Sequence, residues 1–272
     1  MLDLQKVPAV LDITNEQYHG GPGLSNSSIK EILKSPKHYW DSYLNPNKPE
    51  REETPSQRFG NMVHTFLLEP DDFKKRYYVM PKVNRGSKDY KEAQNIAEGR
   101  EIIWNEEEKE LYQILKSVRE HKFARLLLEE GRLIEKSIYF NDSTTGELLK
   151  SRPDCITKSG LILDIKTIDG ASTENCRRAI ANYKYHMQAA IGVDAFEAAY
   201  GEKNNNFINI FIENKRPWCV SPFAISNVGL DTGRLEYNKG LQTYAECKAA
   251  NYWPGYVDEI EEISLPEYYR TN

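Results

Sequence analysis

The sequence predicts an α/β fold: a single domain with a central mixed β-sheet flanked by helices. Three observations predict it. Segments of helical and strand period alternate along the chain, in the order helix, three strands, helix, two strands, helix, which suits a mixed sheet covered by helices. The 272 residues include 39% apolar side chains, enough for a buried core. No run of 18 apolar residues occurs, so none of the apolar segments is read as a membrane span.

Residues 1–24 read as an N-terminal arm with turn chemistry, GGPG at 20–23 included, and residues 25–272 as the domain itself. The opening MLDLQKVPAV lacks a basic stretch followed by a long apolar one, so no secretory signal is expected and a cytoplasmic location is. A capping box, Ser28-x-x-Glu31, predicts a short helix that Pro36 ends. Residues 45–58 are polar and carry prolines, and read as an exposed connection. In RFGNMVHTFLLEP, Phe59, Val63, Phe66 and Leu67 recur at helical spacing until Pro70. Lys82, Arg85, Lys88 and Lys91 surround Gly86 in what reads as a flexible basic loop over 81–91. Residues 106–130 are helical in period, with Leu111, Ile114, Leu115 and Val118 on one face.

Strands are then expected at 133–140, at 148–157 and in GLILDIKT, with a turn at 141–146. Residues 174–192 return to helical period: Ile180, Lys184, Met187 and Ile191 trace one stripe, and Ala181, Tyr185, Gln188 and Gly192 the next. FINIFIE (207–213) and PWCVSPFAI (217–225) read as strands, and 229–250 as a last long helix. The four cysteines, at 155, 176, 219 and 247, have no zinc-site spacing and form no CxxC, so they read as reduced thiols. The net charge of −5 argues against coating nucleic acid by bulk positive charge, though it leaves room for a basic channel on an acidic body.

The stretch SRPDCITKSGLILDIKT (151–167) carries the chemistry. Side chains two apart on a strand share a face, so Asp164 and Lys166 project together with Ile162, while Leu161, Leu163 and Ile165 point into a core. By the same rule Arg152, Asp154 and Ile156 share a face. If Lys158-Ser159-Gly160 is a three-residue loop with Gly160 left-handed, Thr157 pairs with Leu161 and the numbers of each opposed pair sum to 318. Asp154 then stands opposite Asp164, with β-carbons about 5 Å apart. Two ionised carboxylates so placed repel, and Lys166 offsets only part of the charge; a hard divalent cation between them reverses the sign. Carboxylates and water suit Mg2+, with Mn2+ as a substitute.

These residues, Pro153-Asp154 followed by Asp164-Ile165-Lys166, resemble the PD-(D/E)xK nuclease motif. The segments YHGGPGLSNSSIKEILKSPKHY, GNMVHTFLLEP, EKSIYF, SRPDCI, LDIKT, YKYHMQAA and SLPEY are similar, in order and near spacing, to the exonuclease VIII (RecE-type) nuclease domain. The likeness runs from about residue 13 onward and lacks that family's long N-terminal extension. The resemblance implies a restriction-endonuclease-like fold. It implies that Asp154, Asp164 and the Ile165 carbonyl bind metal, with His64 and Glu135 as further metal-site residues. It gives Lys166 the role of polarising the attacking water or stabilising the transition state, and puts Tyr185 and Gln188 at the border of the site, Gln188 to steady Lys166 or the phosphate. It also implies 5′-to-3′, ATP-independent digestion of linear duplex DNA ends to 3′ overhangs, a ring-shaped homotetramer, and a RecT-type single-strand annealing protein as partner. Arg85, Lys88, Arg177 and Arg178 are candidate DNA-backbone contacts, with Tyr183 near for stacking. An endonuclease of the same fold, or a non-catalytic DNA-end-binding module, remains an alternative; no membrane partner is expected.

Overall fold

The computed structural model describes residues 4, 6–48, 53–130, 132–266 and 269. The chain runs through β1 (Ala9–Leu11), α1 (Asn15–Gly20), α2 (Asn26–Lys34) and α3 (Pro36–Tyr39), then a π-helical turn at Trp40–Leu44. Next come α4 (Pro55–Leu68), α5 (Pro70–Arg76), β2 (Tyr77–Met80), α6 (Lys88–Ala97), β3 (Glu101–Trp104), α7 (Asn105–Glu120) and α8 (Lys122–Glu129). The strand region holds β4 (Arg132–Ile134), β5 (Ser137–Asn141), β6 (Leu148–Ser151), β7 (Cys155–Thr157) and β8 (Ile162–Ile168). Helices α9 (Thr173–Asn182) and α10 (Tyr185–Tyr200) lead to β9 (Phe207–Glu213), β10 (Val220–Ala224) and α11 (Asn227–Ala250).

Five strands form the central sheet in the order β10-β9-β8-β7-β4. It is mixed, as expected: β8 and β9 are parallel, because α9 and α10 carry the chain back across the sheet, and the other pairs are antiparallel. Beside it stand an antiparallel sheet, β1-β5-β6, and a parallel pair, β2-β3. Both faces of the central sheet are buried. Ile156, Ile162 and Phe207 join α2, α10 and α11 in one core; Leu163, Ile165, Ile210 and Ile212 join α4 and α7 in the other. Helices α10 and α11 cross closely because Gly233 lacks a side chain: a β-carbon there would meet the His186 carbonyl oxygen at 2.5 Å.

The hairpin register is the one expected. Cys155 pairs with Leu163 and Ile156 with Ile162, the Thr157 N–H donates to the Leu161 carbonyl at 2.9 Å, and Gly160 takes φ +84°.

Several local boundaries differ from the sequence reading. Helix α2 opens a turn earlier, because Ser25 and Ser28 cap one another; Ser28 is the third helical residue and not the cap. Part of the connection over 45–58 is helical: Thr54 caps α4 with Gln57 reciprocating and Pro55 in the first turn, while residues 49–52 lie outside those described. The basic loop over 81–91 ends at Ser87, which caps α6, so Lys88 and Lys91 are helical. The helix expected over 106–130 breaks at His121, whose Nδ1 accepts from the Ala124 N–H. That expected over 174–192 breaks at Tyr183-Lys184, where Lys184 has φ +54°. Residues read as an arm are partly knit into the fold: β1 pairs with β5, and Leu24 bridges Leu149. Strands β2 and β3, four residues each, fall below what alternation reveals. No helix among the described residues is long and apolar enough to cross a membrane.

Candidate active site

The strands expected at 133–140 and 148–157 each divide in two, and both breaks lie at the site. Glu135, at φ +50°, separates β4 in the central sheet from β5 in the smaller one. Arg152-Pro153-Asp154 separates β6 from β7 in the same way; proline has no N–H to donate to a ladder. The two crossings touch, the Glu135 N–H donating to the Asp154 carbonyl at 3.1 Å. A change of sheet frees a side chain from strand alternation, and here it gathers acids from two sheets.

Asp154 therefore does not simply face Asp164 across a ladder, as the register alone suggests. Its Oδ2 accepts from the Ile165 N–H at 2.5 Å, and its Oδ1 lies 3.4 Å from His64 Nδ1. Helix α4 brings in His64, anchored by the fully buried neighbours Met62 and Val63. His64 Nε2 stands 2.8 Å from the Ile165 carbonyl oxygen, so both ring nitrogens face oxygen acceptors. Among the described residues, His64, Glu135 and Asp154 each offer a ligand atom within 4.8 Å of the others.

Asp164, 1% exposed, lies on the opposite side of β8 from the α4 core. Lys166 Nζ stands 2.6 Å from its Oδ2, and Gln188 Nε2 on α10 donates to its Oδ1 at 2.7 Å. Gln188 thus steadies the acid and not the lysine. The Tyr185 ring lies under Lys166, with Nζ 4.8 Å from its centroid, and Tyr183 extends the aromatic surface outward, 5.6 Å from Tyr185 and 58% exposed.

The electrostatics follow from burial and crowding. Burial, reinforced by the charge of Asp154, pushes the Glu135 carboxyl up to about 7 against the pull of His64 and Arg152. Burial also lifts Asp164 to about 6; the nearby Asp154 adds to this, and Lys166 opposes it. For Asp154 burial acts upward too, but His64, Lys166 and the Ile165 N–H together hold it below the usual range. Burial disfavours charge on His64, yet Asp154 outweighs it and raises the imidazole to about 9. Lys166 likewise stays charged, since Asp164 and Asp154 outweigh its burial.

Can these residues hold a divalent cation? Oxygen ligands lie about 2.3–2.6 Å from Ca2+ and about 2.0–2.1 Å from Mg2+, so donors within 4.8 Å span a site of Ca2+ size and close by a few tenths of an ångström to grip Mg2+. Carboxylates that burial and repulsion drive upward gain most from such an ion. The carboxylates of Asp154 and Glu135 fit a hard divalent metal, and His64 would join them as the neutral imidazole once the ion displaces a ring proton.

Sequence reasoning missed Arg152 as a site residue, although it shared a predicted face with Asp154. Its Nε lies 2.9 Å from Glu135 Oε2, its Nη2 donates to the Ile13 carbonyl, and its guanidinium stacks over Tyr18. Glu69, at the end of α4, also bears on Glu135, raising its carboxyl further. No hydrogen bond or ion pair among the described residues joins the basic candidates to this cluster. Arg85 and Lys88 are exposed, on the turn and helix between β2 and β3. Arg177 and Arg178 are exposed on α9, and Arg178 pairs with Glu174 one turn back.

Comparison with known proteins agrees with this architecture. The crystal structure named "Putative exonuclease", from Eubacterium rectale, superposes with a TM-score of 0.65 over 94% of this chain and 97% of its own, at 11% identity, which is a likeness of fold. A second structure, SSO0001, has a TM-score of 0.28 over 78% of this chain and 85% of its own, at 14% identity, and carries no argument. No curated protein matches the sequence. One family, the PDDEXK-like domain of unknown function (DUF3799), matches residues 25–266, with His64, Glu135, Asp154, Asp164, Lys166 and Gln188 inside the match, and the chain belongs to that family.

Proposed function

We propose that this protein is a divalent-metal-dependent DNA nuclease, a 5′-to-3′ exonuclease acting on linear duplex ends. One observation carries the reading: Lys166 and Asp164 share a face of β8, beside the cation-competent cluster of Asp154, Glu135 and His64. The name of the Eubacterium rectale structure supports an exonuclease, and the family's PDDEXK-like description supports phosphodiester hydrolysis. A bound Mg2+ or Mn2+ would supply Lewis acidity, lowering the pKa of water and neutralising charge at the phosphate. Lys166, charged and seated over the Tyr185 ring, orients the water and faces the negative charge that builds on phosphate oxygens. Gln188 fixes the Asp164 carboxylate, so that its free lone pairs keep one direction. His64 bridges Asp154 and the Ile165 carbonyl, tying α4 to the motif strand.

The polarity, the 3′ overhang, a ring-shaped tetramer, a RecT-type annealing partner and Mg2+ as the working metal rest on the resemblance to exonuclease VIII. Arg85, Lys88, Arg177 and Arg178 are proposed to contact the DNA backbone. The test uses linear duplex labelled at either 5′ or 3′ ends, and a covalently closed circle, each with and without Mg2+. Early release of 5′ label with an intact circle is expected. A cut circle makes the protein an endonuclease of this fold, and binding without metal-dependent product makes it a DNA-end-binding module.

A further inference from the structure

Asn209 in β9 stands beside Asp164 of β8 in the parallel register. Ile208, Ile210 and Ile212 pack on the α4 side with Leu163 and Ile165, so Asn209 shares the other face with Asp164. It is fully buried, at 0% exposure. Neither its amide oxygen nor its amide nitrogen has a hydrogen-bond partner among the described residues. An amide in that state is costly, where leucine, of similar volume, would not be.

The surroundings narrow what the amide is for. Along its own strand and face it is flanked by Phe207 and Phe211, and from β10 it is paired with Phe223. The fourth neighbouring position is Asp164. The carboxylate of Asp164 is thus the polar group among those four. Its Oδ1 accepts from Gln188, while its Oδ2 lies 2.6 Å from Lys166 Nζ in an ion pair without hydrogen-bond geometry, and so has room for a further donor.

We propose that Asn209 is a positioning residue for Asp164. It takes up the hydrogen bond to that carboxylate when Lys166 turns from it toward the phosphate. The inference rests on the nuclease reading above. An ammonium that serves the reacting phosphate cannot also neutralise Asp164, and a buried acid that loses its donor swings to find another. An adjacent amide replaces the donor without adding charge, so the acid keeps its direction and its negative charge next to the cation-competent cluster of Asp154, Glu135 and His64. Aspartate at 209 would add repulsion, and leucine would offer no donor.

The test compares wild type, Asn209→Leu, Asn209→Ala, Asn209→Ser and Asp164→Asn. Three quantities are read: the melting temperature without metal, Mn2+ affinity by calorimetry, and kcat and KM on linear duplex with Mn2+. Asn209→Leu is expected to keep or raise the metal-free melting temperature, while Mn2+ affinity and kcat each fall on the order of tenfold and KM stays unchanged. Asn209→Ser, which retains a donor, is expected to recover most of kcat. If Asn209→Leu does not fold, Asn209→Ala makes the same comparison, since it too removes the donor. Wild-type kcat and Mn2+ affinity in the Leu or Ala variant overturn the proposal, as does a lowered melting temperature with kcat unchanged. A wild type that neither binds Mn2+ nor cleaves overturns the nuclease reading, and this inference with it; an active wild type with unaffected variants overturns this inference alone.

Discussion

Helix α10 stands over two carboxylates: Asp164, which Gln188 reaches from its first turns, and Asp194, borne on the helix itself. Asp194 is saturated by local partners. Arg234 reaches it with Nε at 3.0 Å and Nη2 at 2.8 Å, and the Tyr237 hydroxyl donates at 2.5 Å. Arginine and tyrosine lie on α11, so this acid staples two helices and faces no other carboxylate in that set. Asp164 shares its surroundings with Asp154 and Glu135, and burial together with repulsion drives two of the three upward. The difference teaches how an acid that the fold satisfies is told from one that the fold leaves crowded. The first is satisfied by hydrogen bonds from Arg234, which it shares with the exposed Asp231, and from Tyr237; the second is left crowded, in a state that a bound cation would relieve.

Four measurements break or sharpen that contrast. The largest effect is expected at the motif: Lys166→Ala or Asp164→Ala should lower Mg2+-dependent cleavage by about 10²–10³-fold or more, because preorganised charge at the phosphate is lost. Arg234→Met, at the other acid, should leave cleavage per folded molecule within about twofold, because that pair touches no site residue. Cleavage that survives Lys166→Ala would end the argument.

Metal comes next. Mn2+ at a hundred times its dissociation constant should stabilise the wild type by about 2.7 kcal/mol in thermal unfolding. The gain should vanish in Asp154→Asn and persist in Arg234→Met; a gain that persists in Asp154→Asn moves the metal seat elsewhere.

Stability without metal follows. Arg234→Met should cost about 1–3 kcal/mol in denaturant unfolding, less than a fully buried pair because Arg234 is partly exposed. No measurable loss would make the α10–α11 staple ornamental.

The smallest effect is in pH. His64 is raised to about 9, so its contribution is complete below its unfolded value, about 6.5, and lost as pH rises through 9. Asp164 and Glu135 are raised as well, to about 6 and about 7, so ionising them in the folded state also costs stability as pH rises. All three signs agree: the metal-free melting temperature should fall between about pH 5 and pH 8, above which the buried Lys150, depressed to about 8, works the other way, and it should fall less steeply in His64→Gln. A flat or rising profile would mean these groups do not feel one another as the geometry implies.

Much of this was legible in advance where the cause is local. Strand period and one left-handed glycine, Gly160, set the β7–β8 register without reference to the rest of the chain. The faces of β8 followed from alternation, and the helix over 58–70 from the spacing of Phe59, Val63, Phe66 and Leu67. What escaped were breaks within periodic runs. Lys184 and Glu135 adopt positive φ with no glycine to announce it, so α9–α10 and β4–β5 each read as one element. Small buried faces hid α6, whose core residues are Ala93 and Ala97.

By itself the sequence determined the chemical parts: an aspartate and a lysine two apart on a strand, a second aspartate just before the partner strand, and a hairpin to hold them, because each depends on neighbours within a few residues. Tertiary structure alone decided which acids stand close enough to hold a cation together. Glu135 joins Asp154 through a change of sheet, His64 arrives on a distant helix, and Lys166 and Gln188 take up Asp164. The reason is physical: the charge state of a buried carboxylate depends on desolvation and on charges brought near by packing, and neither is written in the spacing of residues along a chain.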